Sequence, residues 1–262
     1  MAKHLARIHG TEEDKVNCPF YHKIGACRHS ERCSRLHHKP AFSPTLLIKH
    51  LYRHPVRQAE MMGGVMSTTE AEKLVDKEKA QEDFLVFFED IYSELCKFGQ
   101  LEALHVVDNL GDHMIGHVYC NFRDEEMASD ALQVLQGRHY DGRLLQVEFS
   151  PVTDFREARC RDYDEESCAR GGFCNFLHVK PVPMPLIRSL DDDAEEDRRR
   201  NARDKEDAEN DARRERKKKR REERGGDKDR DRSRDRSRDR DRDRDRRKRR
   251  RRDDEDDDDD RR

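Results

Sequence analysis

The chain has 262 residues, 44% of them charged, and a formal net charge of −3. Its longest apolar run, residues 84–88, is far too short to cross a membrane, and residues 1–15 lack the apolar stretch of a secretory leader, so a soluble intracellular protein is expected. The overall charge excludes bulk basicity as the mark of a nucleic-acid binder, and in a reducing compartment the eight cysteines are read as metal ligands or core residues rather than disulfides.

The first element expected is a metal-stapled finger over residues 12–40. Cys18, Cys27, Cys33 and His37 have the spacing C-x8-C-x5-C-x3-H. Four N/S ligands suit a tetrahedral Zn2+ and fill every coordination position, so the ion is structural and no water is left to activate. His38 is an alternative to His37. Between the ligands lie Phe20, Tyr21, Arg28, His29, Arg32 and Arg35. Flat rings and guanidinium groups on a small loop offer stacking platforms and phosphate partners to unstacked bases, although some of the rings must cover the metal.

Residues 43–149 read as an α+β domain. Leu46–Tyr52 is a strand candidate, and Ser67–Glu72 holds two overlapping capping-box patterns that open a helix. Phe84, Phe87, Phe88, Ile91, Leu95 and Phe98 give that helix an apolar face, with a stop near Gly99. Leu101–Val107 and Ile115–Phe122 are the next strands, the latter with Val118, Cys120 and Phe122 inward. A helix carrying Met127, Ala128, Ala131, Leu132 and Leu135 and a strand marked by Leu145, Val147 and Phe149 complete the order β-α-β-β-α-β, that of an RNA-recognition motif (RRM). Cys96 and Cys120 become helix and core residues.

The RNA signature on that fold is incomplete. The third strand, Ile115-Gly116-His117-Val118-Tyr119-Cys120-Asn121-Phe122, keeps Gly116, Tyr119 and Phe122 but lacks the basic first residue and the ring at the third position. Lys49 and His50 stand in the first strand where an aromatic would stack. The first helix presents Glu82, Asp83, Glu89, Asp90 and Glu94, which repel phosphate and would attract a basic peptide, unless the face is merely solvated.

A second finger follows over 150–180: Cys160, Cys168, Cys174 and His178, spaced C-x7-C-x5-C-x3-H, implying a second structural Zn2+. Arg161, Tyr163, Arg170, Phe173 and Phe176 lie among its ligands. Asp108, Asp112 and His113 are read as ordinary turn residues, and with no carboxylate or spare His/Cys set to hold a catalytic metal, an enzyme is not expected. Residues 191–262 carry 32 Lys/Arg and 30 Asp/Glu among 72 positions, with four alanines as the only hydrophobic residues. Nothing there offsets an ordering cost of about 1–2 kcal/mol per residue, so a disordered tail is expected. Its basic clusters at Arg213–Arg224 and Arg246–Arg252 read as nuclear-import signals.

The stretches KIGACRHSERCSRLHHKP (23–40), DNLGDH (108–113), SPVTDFREA (150–158) and RGGFCNFLH (170–178), in the order finger, RRM-like domain, finger and charged tail, resemble the small subunit of the U2 snRNP auxiliary factor. That resemblance implies a nuclear, non-enzymatic pre-mRNA splicing subunit whose two fingers jointly hold the AG dinucleotide at the 3′ splice site. The RNA contacts it implies are Phe20, Arg28, Ser34 and Arg35 in the first finger and Arg161, Phe173 and Phe176 in the second. It implies that the central domain is a U2AF-homology motif, binding a tryptophan-bearing peptide of the large subunit through the acidic helix (Glu89, Asp90, Glu94) and the loop Arg138-His139-Tyr140. It also implies contacts of the tail with Arg/Ser-rich splicing proteins. Two departures stand out: His139 replaces a second exposed tryptophan common in the family, and only Ser233 and Ser237 sit between arginines, Asp alternating with Arg elsewhere. A fixed Asp charge in place of phosphoserine implies weak kinase control of the tail.

Overall fold

The structure, a computed structural model, describes residues 16–63, 67–152 and 154–219. In chain order the elements are helix α1 (Pro19–Ile24), strand β1 (Thr45–Lys49), helices α2 (Pro55–Gly63), α3 (Thr68–Leu74) and α4 (Lys77–Cys96), strands β2 (Leu101–Val106) and β3 (Val118–Phe122), and helix α5 (Glu125–Leu135). There follow a short hairpin of β4 (His139–Tyr140) and β5 (Arg143–Leu144), strand β6 (Gln146–Phe149), and helices α6 (Phe155–Ala158) and α7 (Arg161–Asp164). Single 3-10 turns, Ser30–Arg32 and Gly171–Phe173, lie in the two ligand loops, and residues 184–196 and 197–219 are helical.

Four strands form an antiparallel sheet in the order β2-β3-β1-β6, the topology expected of the β-α-β-β-α-β pattern. Alternation along each strand sorts its side chains to two faces. Leu46, Ile48, Val118, Cys120 and Phe122 point toward the apolar stripes of α4 (Phe84, Phe88, Ile91, Leu95) and α5 (Ala128, Ala131, Leu135), making the main core. Leu47 and Tyr119 take the opposite face, which is covered as well, by Ile24 and Ala26 of the first finger and Val152, Ala158 and Leu177 around the second. Burial on both faces explains why β1 is a continuous Leu-Leu-Ile run.

The structure differs from the sequence expectations in five places. The first strand, expected to reach Tyr52, ends at Lys49, where His50 turns at φ +52°. The helix expected from Ser67 onward is two: Val75 is extended, and Asp76 caps α4 by accepting from the backbone N–H groups of Glu78 (3.1 Å) and Lys79 (3.4 Å). The third strand begins at Val118 rather than Ile115. Gly116, at φ +66°, approaches β1's exit so closely that a Cβ would lie 2.1 Å from the Tyr52 carbonyl oxygen, so the chain needs this glycine for its own backbone. Helix α2 and the β4–β5 hairpin had no expectation attached; Val56 of α2, Ala71 of α3 and Leu110 form a small cluster of their own.

The fifth difference is the tail. Residues 191–219, expected to be disordered, are helical, while 220–262, with Ser233, Ser237 and the second basic cluster, lie outside the described residues. The residues up to Glu196 belong to one compact unit and those from Asp197 to another. Within the first, Val182, Ile187 and Leu190 pack on the main core and the Tyr92 hydroxyl donates to Asp191, which anchors the start of the helix. Within the second, no apolar burial is needed: good helix formers alternate in charge, and pairs such as Asp197–Arg200 and Asp211–Arg214 (3.5 Å each) sit one turn apart. Composition forbade a core, not a helix. Among the described residues no helix is long and apolar enough to cross a membrane.

Candidate metal centres and nucleic-acid interface

The two fingers are built alike. Cys18 N–H donates to the Leu36 carbonyl (3.0 Å) and Leu36 N–H to Val16 (2.8 Å). In the second finger Cys160 N–H donates to Leu177 (2.9 Å) and Leu177 N–H to Ala158 (2.9 Å). Each pair closes a parallel bridge that brings the first cysteine beside the segment holding the histidine. A short helix follows that cysteine, and a 3-10 turn precedes the third.

This architecture gathers Cys18, Cys27, Cys33 and His37 into one cluster and Cys160, Cys168, Cys174 and His178 into another, the ligand atoms of each lying within 4.8 Å of one another. Sulfur–sulfur distances are 3.9 Å for Cys27–Cys33, 3.7 Å for Cys160–Cys168 and 3.8 Å for Cys160–Cys174. Tetrahedral Zn–S bonds of about 2.3 Å set sulfurs roughly 3.8 Å apart, so the donor sets fit zinc. The histidines agree: Nε2 of His37 and of His178 are buried without a hydrogen-bond partner, which a metal bond resolves. The chain therefore holds two structural zinc ions. Burial pushes the Cys27 and Cys160 thiols up to about 11, so metal binding must displace protons there.

One ring in each finger serves the metal. Tyr21 stacks on His37 (4.5 Å, 10°) and Tyr163 on His178 (4.0 Å, 16°), which takes both tyrosines out of the set of base platforms. The family-implied RNA contacts are a separate set, and all but Phe176 are exposed. Phe20 (42% exposed), Arg28, Ser34 and Arg35 are exposed on the first finger, and Arg161 and Phe173 (62%) on the second. Phe176 is half-buried, with the Arg170 guanidinium 5.9 Å from its ring centre.

The sheet brings the two fingers together. Tyr119, at the strand position where an RRM offers a ring to a base, is fully buried beneath them, with the Phe155 ring edge-on at 5.6 Å and the Ile24 carbonyl on its hydroxyl. Helix α1 of the first finger packs on α6, which leads into the second. The loop after β2, read from sequence as ordinary turn chemistry, is a second clamp. Asn109 is fully buried; its Nδ2 donates to the carbonyls of Cys174 (2.9 Å) and Phe176 (3.0 Å), and its Oδ1 accepts from His178 N–H (2.8 Å). Leu110 N–H donates to Gly172 (2.7 Å). The only hint in the sequence was a polar Asp-Asn pair ending a strand.

The acidic helix face is less free than its composition suggests. Asp90 accepts from the Tyr140 hydroxyl (2.9 Å), and Glu94 pairs with Lys97 and with Arg138 (2.7 Å), so two of its carboxylates are spent on the Arg138–Tyr140 loop itself. Glu89 and His139 are exposed. The Tyr140 ring stands edge-on to Phe87 (6.1 Å), which leans on Tyr52 (5.1 Å), an aromatic ledge beside a negative rim.

Residues 13–39 match the family model for zinc fingers of the C-x8-C-x5-C-x3-H type (and similar). A U2af small-subunit splicing factor of Arabidopsis thaliana is 55% identical over 190 residues, 72% of this chain but 65% of the relative, so the match spans less than two thirds of that protein. The splicing factor U2AF 26 kDa subunit of Homo sapiens is 48% identical over 191 residues (72% of this chain, 84% of the relative). The splicing factor U2af 38 kDa subunit of Drosophila melanogaster is 49% identical over 205 (78% and 74%). With paired zinc fingers seated on one face of an RRM-like sheet and identities of this extent, the chain belongs to the U2AF small-subunit family of splicing factors.

Proposed function

We propose that this chain is a nuclear splicing subunit that reads the AG dinucleotide at the 3′ splice site of single-stranded pre-mRNA with both zinc fingers acting as one surface, while its RRM-like domain binds the large subunit of the auxiliary factor. The observation that carries the RNA half is the burial of Tyr119: the sheet face an RRM would offer to bases is occupied by the fingers, so RNA must be met by what they leave exposed. Phe20 and Phe173 supply stacking faces, and Arg28, Arg35 and Arg161 supply phosphate partners, with Ser34 and Phe176 beside them. The ledge of Tyr52, Phe87 and Tyr140, rimmed by Glu89 and Asp90 and flanked by His139 and the Arg138–Glu94 pair, supports the second half: an apolar platform with a negative edge suits a tryptophan on a basic peptide.

The test is RNA selection with the full chain, zinc-loaded and co-purified with its large partner. Enrichment of AG preceded by pyrimidines is expected. Enrichment of AU-rich repeats would sink this reading in favour of a messenger-decay factor.

A further inference from the structure

Asp108 follows the last residues of the β2 edge, and three other parts of the chain converge on it. One carboxylate oxygen accepts from His54 Nε2 (3.2 Å) and from Lys180 Nζ (3.4 Å); the other accepts from the Tyr163 hydroxyl (2.9 Å). Its backbone N–H donates to the His178 carbonyl (2.7 Å). His54 follows β1, Tyr163 lies in α7 of the second finger, and Lys180 lies just past the last zinc ligand, its ammonium 5.1 Å from the Phe84 ring centre in α4. Burial by itself would raise the carboxyl's pKa; the histidine, the ammonium and the phenol outweigh that and hold it below its ordinary value, so the group is an anion in the folded chain.

We propose that Asp108 is a positioning residue for RNA recognition, fixing the second finger on the central domain through Tyr163; this rests on the function proposed for the fingers. The zinc and the Cys160–Leu177 bridge set the finger's internal shape without help from Asp108. Within the finger α7 is also tied by Arg159–Asp164 (2.7 Å) and Arg170–Asp162 (3.2 Å), whereas its side-chain tie to the central domain is the Tyr163 hydroxyl on Asp108 (2.9 Å). Asp108 holds Tyr163 flat on His178, and α7 also carries Arg161, while Phe173 sits on the 3-10 turn whose Gly172 carbonyl is bonded to Leu110, two residues on from Asp108. Releasing the phenol lets the helix bearing Arg161 rotate against the first finger while the metal stays bound.

The experiment uses the full zinc-loaded chain and the variants Asp108→Asn, Tyr163→Phe and their combination. Tyr163→Phe keeps the ring and loses only the hydroxyl, so it tests the idea even where Asp108→Asn folds poorly. Three quantities are read: zinc content, the NMR shifts of the His178 ring protons, and affinity for an AG-containing RNA. His37, stacked on Tyr21 without Asp108, is the internal reference. Expected are two zinc ions per chain throughout, His178 ring protons displaced in each variant with those of His37 unmoved, and RNA affinity lower by on the order of tenfold in Asp108→Asn, with the double variant no weaker. Unmoved His178 protons, additive losses, or loss of the second zinc would overturn it. If the unaltered chain showed no preference for AG, the proposed function would fall, and the ring shifts would still decide whether Asp108 orients Tyr163.

Discussion

The Tyr119 hydroxyl donates a 2.6 Å hydrogen bond to the carbonyl of Ile24, fastening the middle of β3 to the last residue of α1. Burial keeps this phenol protonated at any ordinary pH, so it remains a donor. Next to it Gly25, at φ +79°, ends α1 in a left-handed turn, and a Cβ there would lie 3.0 Å from the same ring. Tyr119→Phe leaves a buried carbonyl unpaired and is expected to cost about 1–3 kcal/mol. Thermal unfolding of the zinc-loaded chain should show a lower midpoint with zinc content unchanged. A midpoint equal to that of the unaltered chain would mean the finger does not depend on this tie.

Removing the metal separates the two kinds of order. The fingers' ligand loops carry little apolar burial of their own, so chelation of both ions is expected to unfold them. The core of Phe84, Phe88, Leu95, Val118 and Phe122 holds no ligand and should survive. Amide NMR spectra before and after chelation check this: resonances of α4 and α5 persist, and those of α1 and α7 collapse to unfolded positions. Loss of every resolved resonance would show instead that the fingers hold the core together.

Base platforms and metal covers should respond differently to truncation. Phe173→Ala removes an exposed ring, so stability should change little, while single-stranded RNA affinity falls by about 1–3 kcal/mol, the worth of one stacked base. Tyr21→Ala removes a buried ring lying flat on His37 and is expected to lower thermal stability and zinc retention. Equal loss of RNA affinity in both, at equal zinc content, would erase the distinction.

That distinction marks where the sequence could be read and where it could not. Ligand spacing located both metal sites, because four donors within about twenty residues are a local constraint. The strand order was equally legible from the alternation in Val118–Phe122 and the stripe from Phe84 to Leu95. Which rings face the ligands and which face outward was not, since Phe20 and Tyr21 are neighbours and only the turn of α1 assigns them. The incomplete RNA signature of β3 pointed to a sheet that does not bind bases, yet gave no sign that the fingers themselves cover it. Asn109 and Asp108 act on a finger more than fifty residues later, and no local pattern records that. In the tail, composition led to an expectation of disorder, whereas the described residues through 219 are helical, because helix propensity and charge pairs one turn apart need no buried core.

At the ledge, Tyr140 is the residue whose loss should be felt by a partner. Its phenol, pushed up to about 12 by burial and by the Asp90 carboxylate, stays a donor and holds the ring upright against Phe87. Tyr140→Ala is expected to weaken binding of a tryptophan-bearing large-subunit peptide by tenfold or more, as truncation of an aromatic anchor does. Calorimetric titration checks it. His139→Ala, exposed and unstacked, serves as the comparison; an equal effect there would shift the anchor away from the Phe87–Tyr140 pair.

Acid should weaken the fold through His117 before it protonates most carboxylates. The imidazole is buried, its Nδ1 accepting from His50 N–H (3.4 Å) and its ring edge-on to that of His50 at 4.6 Å. Burial first, then the nearby His50 and Lys49, push its pKa down to about 3, against an unfolded value near 6.5. Its folded pKa being the lower one, the contribution is complete above pH 6.5 and is lost as pH falls from there toward 3, by up to about 1.4 kcal/mol for each pH unit. The urea midpoint, at saturating zinc with metal content confirmed, should be lower at pH 5.5 than at pH 7.5 in the unaltered chain. His117→Asn keeps an acceptor for His50 and cannot be protonated, so its stability should change less between the two pH values. The same drop in both proteins would assign the acid sensitivity to other groups, the zinc ligands first among them.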